Sequence, residues 1–123
     1  MLDLLTIALE AHSDELNHHR RYEVSVGRDL LGDWVVTVRF GRVGGPLREL
    51  RFGSPDAEEA RAIVHDRLRR RMSAPKRIGC GYGIRELSVP SNVNAGEWVP
   101  PAVLAGLLPE ATYRGRHAGG REQ

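Results

Sequence analysis

The segment Val38–Pro46, VRFGRVGGP, holds the residue types best suited to contact a ligand. Phe40 offers a flat apolar ring, and stacking a nucleic-acid base on such a ring stabilises binding by about 1–3 kcal/mol. Arg42 carries a planar guanidinium that matches the oxygens of a phosphate group. Gly41 lets a second backbone approach closely. These residues predict a small platform for a sugar or base beside a phosphate.

A structural interpretation of the same three residues stays open. The strand that ends here places Phe40 on one face with Trp34 and Val38, so its ring can belong to the core. Gly41 can mark a bulge or a close crossing. Arg42 can hold the following turn through hydrogen bonds to carbonyl groups. The spacing alone does not decide between a binding platform and a turn held by its own side chains.

Further basic residues are candidates for phosphate contacts. Arg39 lies on the strand face opposite Trp34, where we expect it to be exposed. The densest basic segment, RLRRRMSAPKR, spans Arg67–Arg77 and can form a phosphate-binding edge. Such residues also have an ordinary explanation, because charges keep a surface solvated and basic residues at the end of a helix complement its dipole.

Catalytic and metal-binding sites are not indicated by the residue pattern. The five histidines show no metal-ligand spacing with one another or with the single cysteine, Cys80. No Ser–His–Asp set and no carboxylate pair stands out, and GCGYG lacks the strand–loop–helix order of a phosphate-cradling loop. We therefore expect a chain without enzymatic activity, catalytic residues, metal or cofactor.

Length and composition point to one small domain that binds no membrane. The chain has 123 residues, 41% of them hydrophobic, and no run approaches the ~18–20 apolar residues of a membrane span. Its start lacks the features of a signal peptide, and a lone cysteine forms no internal disulfide, so we expect a cytoplasmic protein. Residues 19–86 hold 15 basic and 9 acidic residues, a net charge of +6, which admits a polyanionic partner.

Hydrophobic periodicity predicts strands at 20–27, 34–43, 47–53 and about 82–89. Between the last two lies a helix, with Ser54 as its N-cap and Pro55 in its first position. Residues 1–13 form an N-terminal extension in which 2–11 are a short helix. Residues 89–123 form a partly disordered tail with a short helix after Pro101. The fold class is α+β, a small antiparallel β-sheet with one main α-helix packed on it.

Taken in order, several segments resemble the WGR domain, a module named for a Trp-Gly-Arg tripeptide at the end of its second long strand. The resemblance covers residues 14–88 of this chain, which is the extent of the predicted domain. The WGR family includes bacterial proteins in which the domain stands alone. Phe40 stands where the family has tryptophan, and Gly45-Pro46-Leu47 replaces the usual residues after the turn. The matching segments are NHHRRYEVSV, DLLGDWVVTVRFGRVG, LRFGSPDAEEARAIVHDRL and KRIGCGYGI.

The resemblance implies a function, since WGR domains of poly(ADP-ribose) polymerases bind DNA break ends through sugar and phosphate contacts. It implies a non-catalytic nucleic-acid-binding module, with DNA as partner and little sequence specificity. The predicted contact residues are Arg39, Phe40, Arg42, Lys76 and Arg77. The alternative is a protein–protein interaction module that forms a homodimer or docks a partner through the N-terminal segment or the apolar part of the tail.

Overall fold

One six-stranded sheet organises the part of the chain that the computed structural model describes, residues 2–72, 81–90, 92–104 and 107–116. The strand order is β4-β3-β2-β1-β5-β6, antiparallel throughout except that β6 runs parallel to β5. One main helix, α1, packs on one face, which confirms the predicted α+β class. The elements are β1 (Leu2–Ser13), β2 (His18–Arg28), β3 (Trp34–Arg42), β4 (Leu47–Ser54), α1 (Ala57–Arg71), β5 (Gly83–Pro90), α2 (Ala95–Trp98), α3 (Pro101–Leu104) and β6 (Leu107–Arg116).

The first strand corrects the predicted N-terminal helix. Residues 2–11 belong to β1, which lies inside the sheet between β2 and β5 rather than outside the domain as an extension. Leu5, Ile7 and Leu9 are buried at every second position, which is the period of a strand. These side chains belong to the core and both edges of β1 are paired, so the segment is an interior strand of the sheet.

The core lies between α1 and the face of the sheet that α1 covers, called here the helix side. Strand registers place alternating side chains of adjacent strands together, as in the rows Ile7–Val24–Val38 and Leu9–Tyr22–Phe40. The helix contributes its buried stripe Ala60, Val64 and Leu68. Burying such apolar side chains is the main favourable term in folding.

The start of α1 also differs from the prediction. Asp56, not Ser54, is the N-cap, because its carboxylate accepts a hydrogen bond from the Glu58 backbone N–H at 2.9 Å. Ser54 instead ends β4, and its Oγ accepts a hydrogen bond from the Asp56 N–H at 3.0 Å. Pro55 precedes the cap rather than opening the helix. The helix therefore begins two residues later than predicted, at Ala57.

The C-terminal segment forms more structure than predicted. The short helix expected after Pro101 is α3, and residues 107–116, expected to lie in a partly disordered tail, form β6. Residues 117–123 lie outside the described residues. Trp98, Val99 and Val103 are buried in the core, so they anchor the crossover that a parallel β5–β6 pair requires.

Replacing Ile7 with alanine tests the central position of β1. The side chain is fully buried, so Ile7→Ala is expected to lower the free energy of unfolding by about 2–5 kcal/mol, measured by urea denaturation. Leu30→Ala is the control, because Leu30 is 98% exposed and its loss should cost less than about 0.5 kcal/mol. Similar values for both variants would contradict an interior β1.

Candidate nucleic-acid interface

The turn that follows β3 explains why a glycine, Gly41, directly precedes Arg42. A Cβ at Gly41 would lie 2.8 Å from the Pro46 carbonyl oxygen, so only glycine fits the closely returning chain. Gly44 has φ of +81°, in the region that favours glycine, within the turn closed by the Gly45 N–H and the Arg42 carbonyl at 3.0 Å. The glycines of VRFGRVGGP therefore have structural roles.

Arg42 reaches across β2 to the β1–β2 turn. Its guanidinium donates hydrogen bonds to the carbonyl oxygen of Asn17 at 3.3 Å and to the Asn17 Oδ1 at 3.1 Å. Asn17 has φ of +54°, so this arginine supports a residue in the left-handed region. The side chain is nevertheless exposed, and the N–H groups that do not face Asn17 can bind an anion.

Phe40 lies at the border of the core. It is partly buried on the helix side, where its ring centroid is 6.3 Å from that of Tyr22. Its register partner on β4 is Arg48. The ring therefore packs against the core with one part and borders the exposed arginines with the other.

The structure separates Arg39 from the other predicted contact residues. Arg39 points away from the helix side, and its Nε donates to the Glu49 carboxylate at 2.8 Å. Phe40 and Arg42 share the helix side, because alternate residues of a strand point to the same face. Lys76 and Arg77 lie outside the described residues. Of the five predicted residues, the structure brings Phe40 and Arg42 together.

Two arginines not selected from the sequence join this pair. Arg20 is the register partner of Arg42, and Arg48 is the register partner of Phe40. Three exposed arginines therefore lie at one end of the sheet, where β3 ends and β2 and β4 begin. We call Arg20, Phe40, Arg42 and Arg48 the basic end. Within the described residues neither Arg20 nor Arg48 has an ion pair or side-chain hydrogen bond. Arg20 and Arg48 could be identified only from the strand register, which local sequence patterns do not reveal.

Electrostatic repulsion makes the basic end unusual. Like charges directly opposite each other on neighbouring strands destabilise a sheet, and Arg20 faces Arg42 in this way. Beside them lies a small pocket of about 160 Å³, lined by Asn17, His18, His19, Arg20 and Arg42. The arrangement offers guanidinium donors around a concave surface, which favours an anionic ligand.

The opposite face of the sheet, called here the open face, pairs its charges internally. Arg21 donates to Glu10 at 2.6 Å, to Glu23 at 2.7 Å and to Glu86 at 2.8 Å. Burial disfavours the charged form of Arg21, but the three carboxylates outweigh it and raise its pKa above the ordinary value. Burial also disfavours the charged form of Glu10 and so raises its pKa, but the hydrogen bonds from His12 and Arg21 lower this pKa overall. The described arginines Arg21, Arg39 and Arg51 of this face thus form ion pairs with carboxylates of the same chain.

The arginines of α1 also have structural partners. The guanidinium carbon of Arg67 lies 4.8 Å from the ring centroid of Phe52, and that of Arg71 lies 4.5 Å from that of Tyr22. Such contacts combine packing of the aliphatic stem with a cation–π attraction. Arg70 forms an ion pair with Asp66 at 3.1 Å, one turn before it. Arg67 and Arg71 of the predicted basic segment therefore pack between α1 and the sheet.

Comparison with known proteins adds no assignment, since no protein family, curated protein or solved structure matches the chain. The resemblance to the WGR domain therefore stays a prediction. In the described part of the chain, no group of three or more His, Cys, Asp or Glu side chains is placed to hold a metal ion. No helix in those same ranges has the length and apolar character needed to cross a membrane.

Replacing Glu10 with glutamine tests the open-face network. The lowered pKa means that ionised Glu10 contributes stability that is fully present above its unfolded value of 4.5 and is lost as pH falls through the folded-state pKa. Glu10→Gln should lower the free energy of unfolding at neutral pH by about 1–3 kcal/mol. It should also flatten the decline in stability below pH 4.5, measured by denaturant titrations at stepped pH.

The matched control is Glu15→Gln in the exposed β1–β2 turn, which removes the same charge without touching the network. If the free energy of unfolding of both variants depends on pH as it does in the unmodified chain, ionisation of Glu10 is not the source of this pH dependence.

Proposed function

We propose that this chain is a non-catalytic nucleic-acid-binding module that contacts DNA through its basic end. The observation that carries the proposal is the juxtaposition of Arg20, Arg42 and Arg48 on one exposed side, with no carboxylate paired to Arg20 or Arg48 in the described residues. A phosphate backbone supplies the negative charge that relieves this repulsion. Neutralising phosphates also releases condensed counterions, which is the main source of sequence-independent affinity.

Little sequence specificity is expected from such a contact. Arginines that meet phosphates fix position but carry no sequence information, and the basic end presents no helix suited to a major groove. Phe40 adds an apolar ring edge beside Arg48, which suits the sugar at a strand end. Phenylalanine lacks the indole N–H of the family tryptophan, so the proposed contact is apolar and uses no hydrogen bond from this ring.

The proposal changes the set of contact residues. Arg39 is left out, because it lies on the open face and is bound to Glu49. Lys76 and Arg77 are kept on the WGR resemblance alone, because basic residues before the Gly-Tyr segment are common in that family. The WGR resemblance supports DNA as the nucleic acid. The single cysteine is in line with a cytoplasmic setting.

A matched pair of double variants tests the proposal by fluorescence anisotropy. Arg20→Gln/Arg48→Gln removes two charges from the basic end, and Arg39→Gln/Arg51→Gln removes two from the open face. Affinity for a duplex should fall steeply between ~50 and 200 mM salt for the unmodified chain. The first variant should bind more weakly and reduce the slope of log K against log salt by about 2, because each lost phosphate contact removes about 0.9.

The control variant should keep most of the affinity and the full slope. Blunt, nicked and single-stranded probes then report what is recognised: tighter binding to a nick or end supports strand-end contact, and equal binding supports backbone contact alone. Equal losses in the two variants would mean that only net charge matters. Absence of binding at ~50 mM salt would refute the proposed function.

A further inference from the structure

The outer edge of β4 is open for pairing. β4 is the first strand in the sheet order, and within the described residues it pairs with β3 alone. Its register with β3 runs without a shift from Trp34–Ser54 to Gly41–Leu47. Natural sheets usually blunt such an edge with a bulge, a proline or a covering segment, and residues 47–54 contain neither of the first two. A regular eight-residue edge is a ready surface for another strand.

Symmetry restricts how a second copy could use this edge. In an antiparallel β4–β4 pair, a two-fold axis perpendicular to the sheet keeps each side chain on its own side. The axis must therefore pass through a residue position, since only residues on the same side can face each other. Leu50 is the central choice, because it keeps residues 47–53 of both copies in register.

That register is complementary in charge as well as in shape. On the open face it places Glu49 of one copy opposite Arg51 of the other, twice across the axis. On the helix side it places Leu50 opposite its own copy and Arg48 opposite Phe52. Opposite charges and apolar pairs at directly facing positions stabilise antiparallel strands.

The neighbouring symmetric registers are unfavourable. Centring the axis on Glu49 would set that carboxylate against its own copy, and centring it on Arg51 would do the same with two guanidinium groups. Like charges at directly opposite positions destabilise a strand pair. The sequence of β4, LRELRFGS, thus favours one self-pairing register over its alternatives.

Exposure shows that this edge is accessible. Leu50 is 40% exposed, so α1 does not cover it. Glu49 already accepts from Arg39 at 2.8 Å and contacts Arg51 at 3.2 Å within one chain. The hydrogen bond from Arg39, together with Arg51, lowers the pKa of Glu49, so its carboxylate is ionised. In the β4–β4 pair this carboxylate would exchange the Arg51 of its own chain for the Arg51 of the facing copy.

We propose that two copies of this chain associate through antiparallel β4–β4 pairing centred on Leu50. The two sheets then continue into one, with β4 no longer an edge. The association itself requires no nucleic acid, although Arg48 belongs both to the basic end and to the β4 register.

Sedimentation velocity on the full chain without nucleic acid tests the association over a concentration series. The unmodified chain should form a dimer at increasing concentration. Leu50→Arg should weaken self-association by roughly tenfold or more, because it replaces an apolar pair with two like charges at the axis. Leu30→Arg is the control, since it adds the same charge at a position that is 98% exposed in the β2–β3 loop.

A charge-exchange mixture makes the test specific to the register. Glu49→Arg gives a chain with two basic positions beside the axis, and Arg51→Glu gives one with two acidic positions. Each variant alone should stay monomeric, whereas their mixture should form a heterodimer with both facing pairs complementary. Circular dichroism and melting curves of each variant confirm that the monomers are folded.

A chain that stays monomeric up to its solubility limit would overturn the proposal. So would a dimer that persists in Leu50→Arg, or single variants that associate as well as their mixture. Measuring the DNA affinity of Leu50→Arg and Leu30→Arg alongside their mass keeps the two proposals separate, because Leu50 does not belong to the basic end and both variants add the same charge. Dimer formation without DNA binding, or the reverse, would reject one and leave the other.

Discussion

Pairing of β1 on both of its edges is the interaction on which the rest of the fold depends. β1 is hydrogen-bonded to β2 and to β5, so it joins the hairpins β2–β3–β4 to the C-terminal half of the sheet. Its inward residues Leu5, Ile7 and Leu9 lie in the same core as the helix stripe. Without this strand the two halves of the sheet would lose the hydrogen bonds that join them, and the core would lose its central row.

The sheet separates its charges by face and by end. On the open face, arginines are matched with carboxylates, as in the contacts of Arg21 with Glu10, Glu23 and Glu86. At the basic end, Arg20 and Arg42 face each other without such a match. A nearly neutral chain can therefore still present a locally positive surface. Net charge alone would not have revealed this, because the surface arises from register rather than from composition.

Local patterns predicted most elements and a part of the candidate site. Alternation identified β2 to β5, and the capping residues located α1 to within one turn. β1 was missed because its apolar residues also fit a helical stripe, and β6 because its pairing depends on a distant parallel partner. Phe40 and Arg42 could be selected from their neighbours in sequence. Arg20 and Arg48 join them only through the strand pairing. Arg39 lies on the opposite face, as strand alternation requires, and pairs there with Glu49.

The position of β1 also sets the order in which this chain can fold during synthesis. Ile7 pairs with Leu87, so a residue near the N-terminus must wait for a partner 80 positions later in the chain. β2 can pair with β1 as soon as it is made, which leaves the other edge of β1 open for most of translation. Contacts over such separations carry a large loop-closure entropy and slow folding. β1 is thus enclosed only once β5 is made, after β2, β3, β4 and α1.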